Sequence, residues 1–187
     1  MKTLKLILCF SLAIVFSACE DKPLETIYSD IDGQEYYKDM SSEMNVRKAT
    51  RLILENKQEQ VPNDIILSIA DSLITDNKKW KIMYFDAFSQ VIYRLNDRER
   101  AIVSPALFAF FIRNPIEYKS KIDQLSHNKS DILLEIISNQ VSESLVDDQI
   151  TINSIINLTF SYCKDCTQQE LDFIVSYVQL AEKLIVE

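Results

Sequence analysis

Trp80-Lys81-Ile82-Met83-Tyr84-Phe85-Asp86-Ala87-Phe88-Ser89-Gln90-Val91-Ile92-Tyr93-Arg94-Leu95 is the stretch that decides the fold. Its residues Trp80, Tyr84, Ala87, Phe88, Val91 and Leu95 advance in steps of 4, 3, 1, 3 and 4. Those steps follow the 3.6-residue period of a helix with one apolar face, where a half-buried strand would alternate every second residue. The same spacing recurs on both sides. Met40, Met44, Ala49, Leu52 and Ile53 mark a helix over 36–58. Val61-Pro62-Asn63-Asp64 breaks the chain, and Ile65, Ile66, Ile69, Ala70 and Leu73 mark the next helix.

Downstream, local signals place the helix starts. Asn96-x-x-Glu99 has the capping-box pattern, so a helix starts near Asp97. Ser104-Pro105 offers a restart with Ser as N-cap and Pro at the first helical position, and Asn114-Pro115 repeats that logic for a short helix to about Leu125. Ser126-His127-Asn128 ends it, and Ile132, Leu133, Ile136, Ile137 and Leu145 belong to a helix over 130–146. Asp147-Asp148 reads as the N-cap of the helix over 149–163, whose β-branched residues leave a strand as its alternative. Thr167-x-x-Glu170 opens the last helix, carrying Leu171, Ile174, Val175, Val178, Ala181 and Ile185. Seven or eight such helices with short connections predict a single all-α domain over 34–187. Residues 63–69 and 130–136 resemble each other at an offset of 67, as two repeats of about 33 would. An irregular, solenoid-like array of antiparallel helices is therefore the expected arrangement, with a helical bundle as its alternative.

Composition agrees with this class. Of 187 residues, 47% are hydrophobic and 26% charged, enough apolar surface to bury a core. A single Gly argues against sandwiches, barrels, doubly wound sheets and phosphate-cradling loops, all of which use Gly for positive-φ turns or close backbone approach. The net charge is −8, and no cluster of Lys and Arg is dense enough to bind nucleic acid or an anionic bilayer.

The N-terminus carries an address. Met1-Lys2-Thr3-Leu4-Lys5 is basic, and Leu6 to Phe16 is an apolar run broken only by Ser11. The run suits the core of a secretory signal and is shorter than the ~20 residues that span a bilayer. Val15-Phe16-Ser17-Ala18-Cys19 resembles the lipobox of bacterial lipoproteins, with Phe16 where an aliphatic residue is usual. The resemblance covers residues 1–19 alone. It implies that 1–18 is removed, that Cys19 takes a diacylglycerol and an acyl lipid, and that the protein is anchored at the outer membrane, on the periplasmic or the surface side. An ordinary signal cut after Ala18 is the alternative. Residues 19–33 then read as a lipidated Cys and an acidic tether. Glu20-Asp21-Lys22 is similar to an acidic surface-export signal.

Few residues suggest chemistry. Cys163-Lys164-Asp165-Cys166 reads as a short-loop disulfide suited to an oxidising compartment. Free thiols are the alternative; a redox site would want a βαβ context, and zinc would want two more ligands beside the lone His127. His127 reads as a cap or a solvated loop residue. No nucleophile elbow, zinc-binding His pair, calcium loop or Walker lysine is present. No catalytic residue, metal site or cofactor beyond the lipid is therefore expected, and the chain is read as a non-enzyme.

Nine aromatics fall between residues 80 and 118. Most are expected in the core, with one member each of the adjacent pairs Tyr84-Phe85 and Phe110-Phe111 at its edge. Arg94, Arg98, Arg100 and Arg113 bracket the region, and Arg with aromatics is the composition of binding hot spots. Trp80, Tyr84, Phe85, Arg94, Arg98, Phe110, Phe111 and Arg113 are thus the candidate partner-binding residues. The expected function is a lipid-anchored, non-enzymatic module that binds a protein partner in the envelope, one version being an immunity or inhibitor protein with an acidic surface for a basic target. A carrier of an apolar ligand or glycan fragment would instead need a deep aromatic-lined pocket, and a hydrolase would need carboxylates converging in a cleft. Cys19→Ala is expected to move the protein from the membrane to the soluble fraction on cell fractionation; retention with membranes would contradict the lipid anchor.

Overall fold

A computed structural model describes residues 44–147 and 149–186. The signal, Cys19, the tether and the first turns of the 36–58 helix lie outside the described residues. Eight α-helices and no strand occur among those described. They are α1 (Val46–Leu54), α2 (Asn63–Asp71), α3 (Lys78–Val91), α4 (Asp97–Arg113), α5 (Pro115–Ile122), α6 (His127–Ser144), α7 (Ile152–Ser161) and α8 (Gln168–Val186). The all-α expectation holds, and the strand alternative for 149–163 does not.

Caps set most of these boundaries, each by supplying an acceptor for amides that the first turn leaves without a carbonyl. Asn45 accepts from the Lys48 amide at 2.9 Å, which starts α1 at Val46. The Asn96–Glu99 box is closed in both directions, at 3.0 and 2.9 Å. In the Thr167–Glu170 box the Thr167 amide, 2.8 Å from the Glu170 carboxylate, holds that carboxyl below the usual range. Just past the end of α1, Asn56 has a φ of 60°. The Asn56 and Lys57 amides close back on the Ile53 and Leu52 carbonyls, the two-bond termination that usually takes Gly. Here Asn fills the left-handed position.

Two caps read from the sequence are corrected. Ser104-Pro105 does not restart a helix; α4 runs through it, with Pro105 facing solvent. The Ser104 hydroxyl donates at 2.9 Å to the Ala101 carbonyl, the acceptor that a missing amide at Pro105 would have left unsatisfied. Asp147 does not cap α7. Its carboxylate accepts from the Gln149 amide within the loop, and the cap is Thr151, boxed with Ser154 at 3.1 and 2.9 Å.

The helices meet two apart in sequence: α1 on α3, α2 on α4, α4 on α6 and α6 on α8, with α7 against α8. This is the neighbour pattern of stacked helical pairs. The offset of 67 has a structural counterpart, since Ile66, Ile69 and Ala70 of α2 and Leu133, Ile136 and Ile137 of α6 are all buried. Polar ties reinforce the stack. Arg100 of α4 reaches the Glu135 carboxylate of α6 at 2.9 Å, and Lys121 of α5 reaches Asp86 of α3 at 2.6 Å.

At the centre, Phe85 of α3, Phe110 and Phe111 of α4, Tyr118 of α5 and Tyr177 of α8 form one aromatic cluster with ring centroids 5.2 to 6.2 Å apart. Inside it the Tyr118 and Tyr177 hydroxyls are hydrogen-bonded at 2.6 Å. Burial holds both phenols well above the ordinary range, and for Tyr118 the neighbouring tyrosine adds to the effect. The folded chain thus retains protons that the unfolded chain releases at about pH 10, so this stabilisation is full below that pH and is lost as pH rises beyond it. In an alkaline titration followed by near-ultraviolet absorbance, part of the phenolate signal is expected only together with loss of helical circular dichroism; complete ionisation of a chain that stays helical would contradict this.

Candidate functional site

Most of the candidate binding residues turn out to be core. Trp80, Tyr84, Phe85, Phe110 and Phe111 are all buried, and both members of each adjacent pair are inside. The reason is that α3 and α4 have helices on more than one side, so residues about 100° apart on them still meet protein. Trp80 is covered by α1, with the Arg47 guanidinium 4.7 Å and the Arg51 guanidinium 5.7 Å from its ring centre.

Arg94 is likewise committed to the fold. It donates to the Gln58 carbonyl at 2.7 Å, the Val61 carbonyl at 2.9 Å and the Asn63 side chain at 2.8 Å, clasping the whole α1–α2 connection. Arg98 and Arg113 are exposed, but at opposite ends of α4, about 22 Å apart along a helix axis rising 1.5 Å per residue. No single surface can contain the set that the sequence suggested.

Arg113 nevertheless marks a site. Two adjoining depressions, of about 390 and 330 Å3, meet where Lys81, Arg113, Asn114 and Tyr162 line both. Ile74, Asp76, Ala109 and Phe110 wall the first. Lys78, Pro115, Ile116 and Glu117 wall the second. The elements converge for local reasons. Asn114 ends α4 and begins α5 at once: its amide and its side-chain nitrogen both donate to the Phe110 carbonyl, at 2.9 and 3.2 Å, while its own carbonyl accepts from the Tyr118 amide. Its side-chain oxygen accepts from the Lys81 ammonium at 3.1 Å, so one residue fixes two helix ends and aims a lysine.

Tyr162 is delivered by α7, which packs on α4 as well as on α8. It follows α7 directly, beside the disulfide that joins Cys163 and Cys166 with their Cα atoms 5.4 Å apart. Closing so short a loop stabilises the fold by about 2 kcal/mol on chain-entropy grounds and restricts the turn that carries Tyr162.

Three cations, Lys78, Lys81 and Arg113, line the cleft. Elsewhere Lys57, Arg100, Lys119 and Lys121 have carboxylates within 4.0 Å. Among the described residues no such ion pair forms at Lys78, Lys81 or Arg113, although Asp76 and Glu117 line the same cleft. The arrangement can bind an anionic group against apolar walls. It contains no paired nucleophile and base, and no group of three or more His, Cys, Asp or Glu able to hold a metal occurs among the described residues. His127, at the first turn of α6, is exposed and 3.7 Å from Asp131.

Lys78, Lys81, Asn114 and Tyr162 were not among the residues suggested by the sequence. Asn114 was legible as a cap, but nothing local says that a lysine 33 positions earlier would reach it. Among known proteins the chain matches no family model, no curated relative and no solved structure. Because three hydrogen bonds from one charged group depend on it, Arg94→Ala is expected to lower stability by about 3 kcal/mol in denaturant unfolding, while exposed Arg98→Ala changes it by less than about 0.5 kcal/mol.

Proposed function

We propose that this chain is a lipid-anchored, non-enzymatic binding protein of the cell envelope, and that it engages a protein partner through the cleft around Lys81, Arg113 and Tyr162. The observation that carries the reading is the gathering of Lys78, Lys81 and Arg113 in one cleft, with no carboxylate within 4.0 Å among the described residues, in a chain of net charge −8. A cation held out of ion pairs and beside apolar walls retains its attraction for an incoming anion. The acidic remainder favours basic surfaces of the partner around that contact, which fits an immunity or inhibitor protein.

The aromatics bear on the choice between partner and carrier. A carrier of an apolar ligand would line a cavity with them. Here Trp80, Tyr84, Phe85, Phe110, Phe111, Tyr118 and Tyr177 pack on one another and on α1, and of these Phe110 alone also borders the cleft, beside Tyr162.

The test is crosslinking of the full-length, C-terminally tagged chain in its own cells, compared with Arg113→Glu, Lys81→Glu and, as a control of equal charge change, Arg98→Glu. A crosslinked partner present with the wild type and Arg98→Glu, and at least about ten-fold depleted with the two cleft variants, is the expected outcome. Equal capture by all four chains would reject the cleft as the contact.

A further inference from the structure

Resting on that reading, we infer that the cleft receives the C-terminal carboxylate of a peptide segment whose last side chain is apolar. Charge sets the first limit. Lys78, Lys81 and Arg113 face Asp76 and Glu117, which leaves a single positive charge to be matched. One carboxylate matches it; a phosphate dianion or a polyanion would bring uncompensated charge against the two acids.

Geometry sets the second. Arg113 presents a planar guanidinium that can grip both oxygens of a carboxylate, and the Asn114 acceptor orients the Lys81 ammonium toward the same shared centre. The first turn of α5 begins there with no side-chain cap, because Asn114 is turned toward Phe110 and Lys81, so its positive end reinforces the cations.

The shape separates the sources of such a carboxylate. Two depressions diverge from one polar centre. A fatty acid extends from its carboxylate as a single chain and fills one of them. A peptide end branches at its last Cα into a side chain and a backbone, one arm for each depression. The Pro115 and Ile116 wall of the second depression suits an apolar side chain, and the first, where Asp76 stands beside Ile74 and Ala109, suits the more polar backbone arm. Tyr162, about half exposed, forms a boundary common to both and is positioned by the adjacent Cys163–Cys166 turn.

The experiment is calorimetric titration of the full-length chain, in detergent, with N-acetyl-Ala-Ala-Leu bearing a free carboxylate, with the same peptide as its C-terminal amide, and with decanoate. The free acid is expected to bind at least about ten-fold more tightly than the amide, and Arg113→Ala, whose fold is checked by circular dichroism, to weaken the acid about ten-fold or more while leaving the amide unchanged. Lys81→Met is expected to weaken the acid in the same sense. Equal affinity for acid and amide, no binding of the acid at millimolar concentration, or binding of decanoate alone would each overturn the inference. If the acid fails to bind while Arg113→Glu still loses the crosslinked partner, this inference falls and the proposed function stands. If the acid binds selectively but crosslinking is indifferent to Arg113→Glu, the cleft holds carboxylates and the partner-binding reading falls.

Discussion

One buried hydrogen bond, between the hydroxyls of Tyr118 and Tyr177, ties the middle of the chain to its last helix. Tyr118 is wholly buried and Tyr177 nearly so, which makes each hydroxyl dependent on the other. A single hydroxyl left alone in such surroundings costs about 1–3 kcal/mol, whereas the pair is satisfied while both rings add their apolar area to the core. The bond joins the short α5 to the C-terminal α8, elements 59 residues apart in sequence at the contact. A helix of eight residues has little stability of its own, so α5 relies on Tyr118 and on the Lys121–Asp86 pair for its place. The cleft depends on α5 in turn, because Asn114, Pro115, Ile116 and Glu117 are its first residues and wall.

The same economy governs the polar residues at the joints. Asn114 serves two helices and one lysine. Arg94 closes the connection before α2 by donating to two backbone carbonyls, those of Gln58 and Val61. Ser104 takes the carbonyl that Pro105 abandons, which lets a helix of 17 residues pass through a proline. Each supplies a side-chain donor to a backbone carbonyl at a part-buried joint, where a polar group without a partner is the condition that folded chains avoid most consistently. Cations used in this way are unavailable for recognition. Lys78 and Arg113 of the cleft carry no such duty among the described residues, and the bond of Lys81 to Asn114 leaves two ammonium hydrogens free to point outward.

Much of the architecture was legible in short stretches of the chain. The Asn96–Glu99 and Thr167–Glu170 boxes form as their residue types require, because both partners lie within one turn. The similarity of 63–69 and 130–136 proved to lie in two helices of the same row, with equivalent positions buried. The readings that failed are those in which two local solutions compete. Ser104-Pro105 suits either a restart or a bridged helix, and packing of α4 between α2 and α6 decides for the bridged helix. Asp147 and Thr151 are both good caps, and the loop geometry uses Asp147 for a turn. Arg94 beside aromatics has the composition of a hot spot, yet its donors are spent on carbonyls more than 30 residues away. Of the site, only Arg113 and Phe110 were indicated in advance; the other lining residues come from the α2–α3 link, the first turn of α3, Ala109 of α4, the α5 start and the end of α7.

The division follows from range. Helical period, cap pairs, the scarcity of Gly and the acidic balance act between residues a few positions apart or over the whole composition, so the chain alone specifies an all-α domain and where most of its helices begin. Which aromatics become core, which arginine becomes a clasp and which three cations share a cleft depend on helices stacking two apart in sequence, and that stacking is decided by the burial of side chains from different helices against one another. A residue's neighbours along the chain carry no record of those it will meet across it.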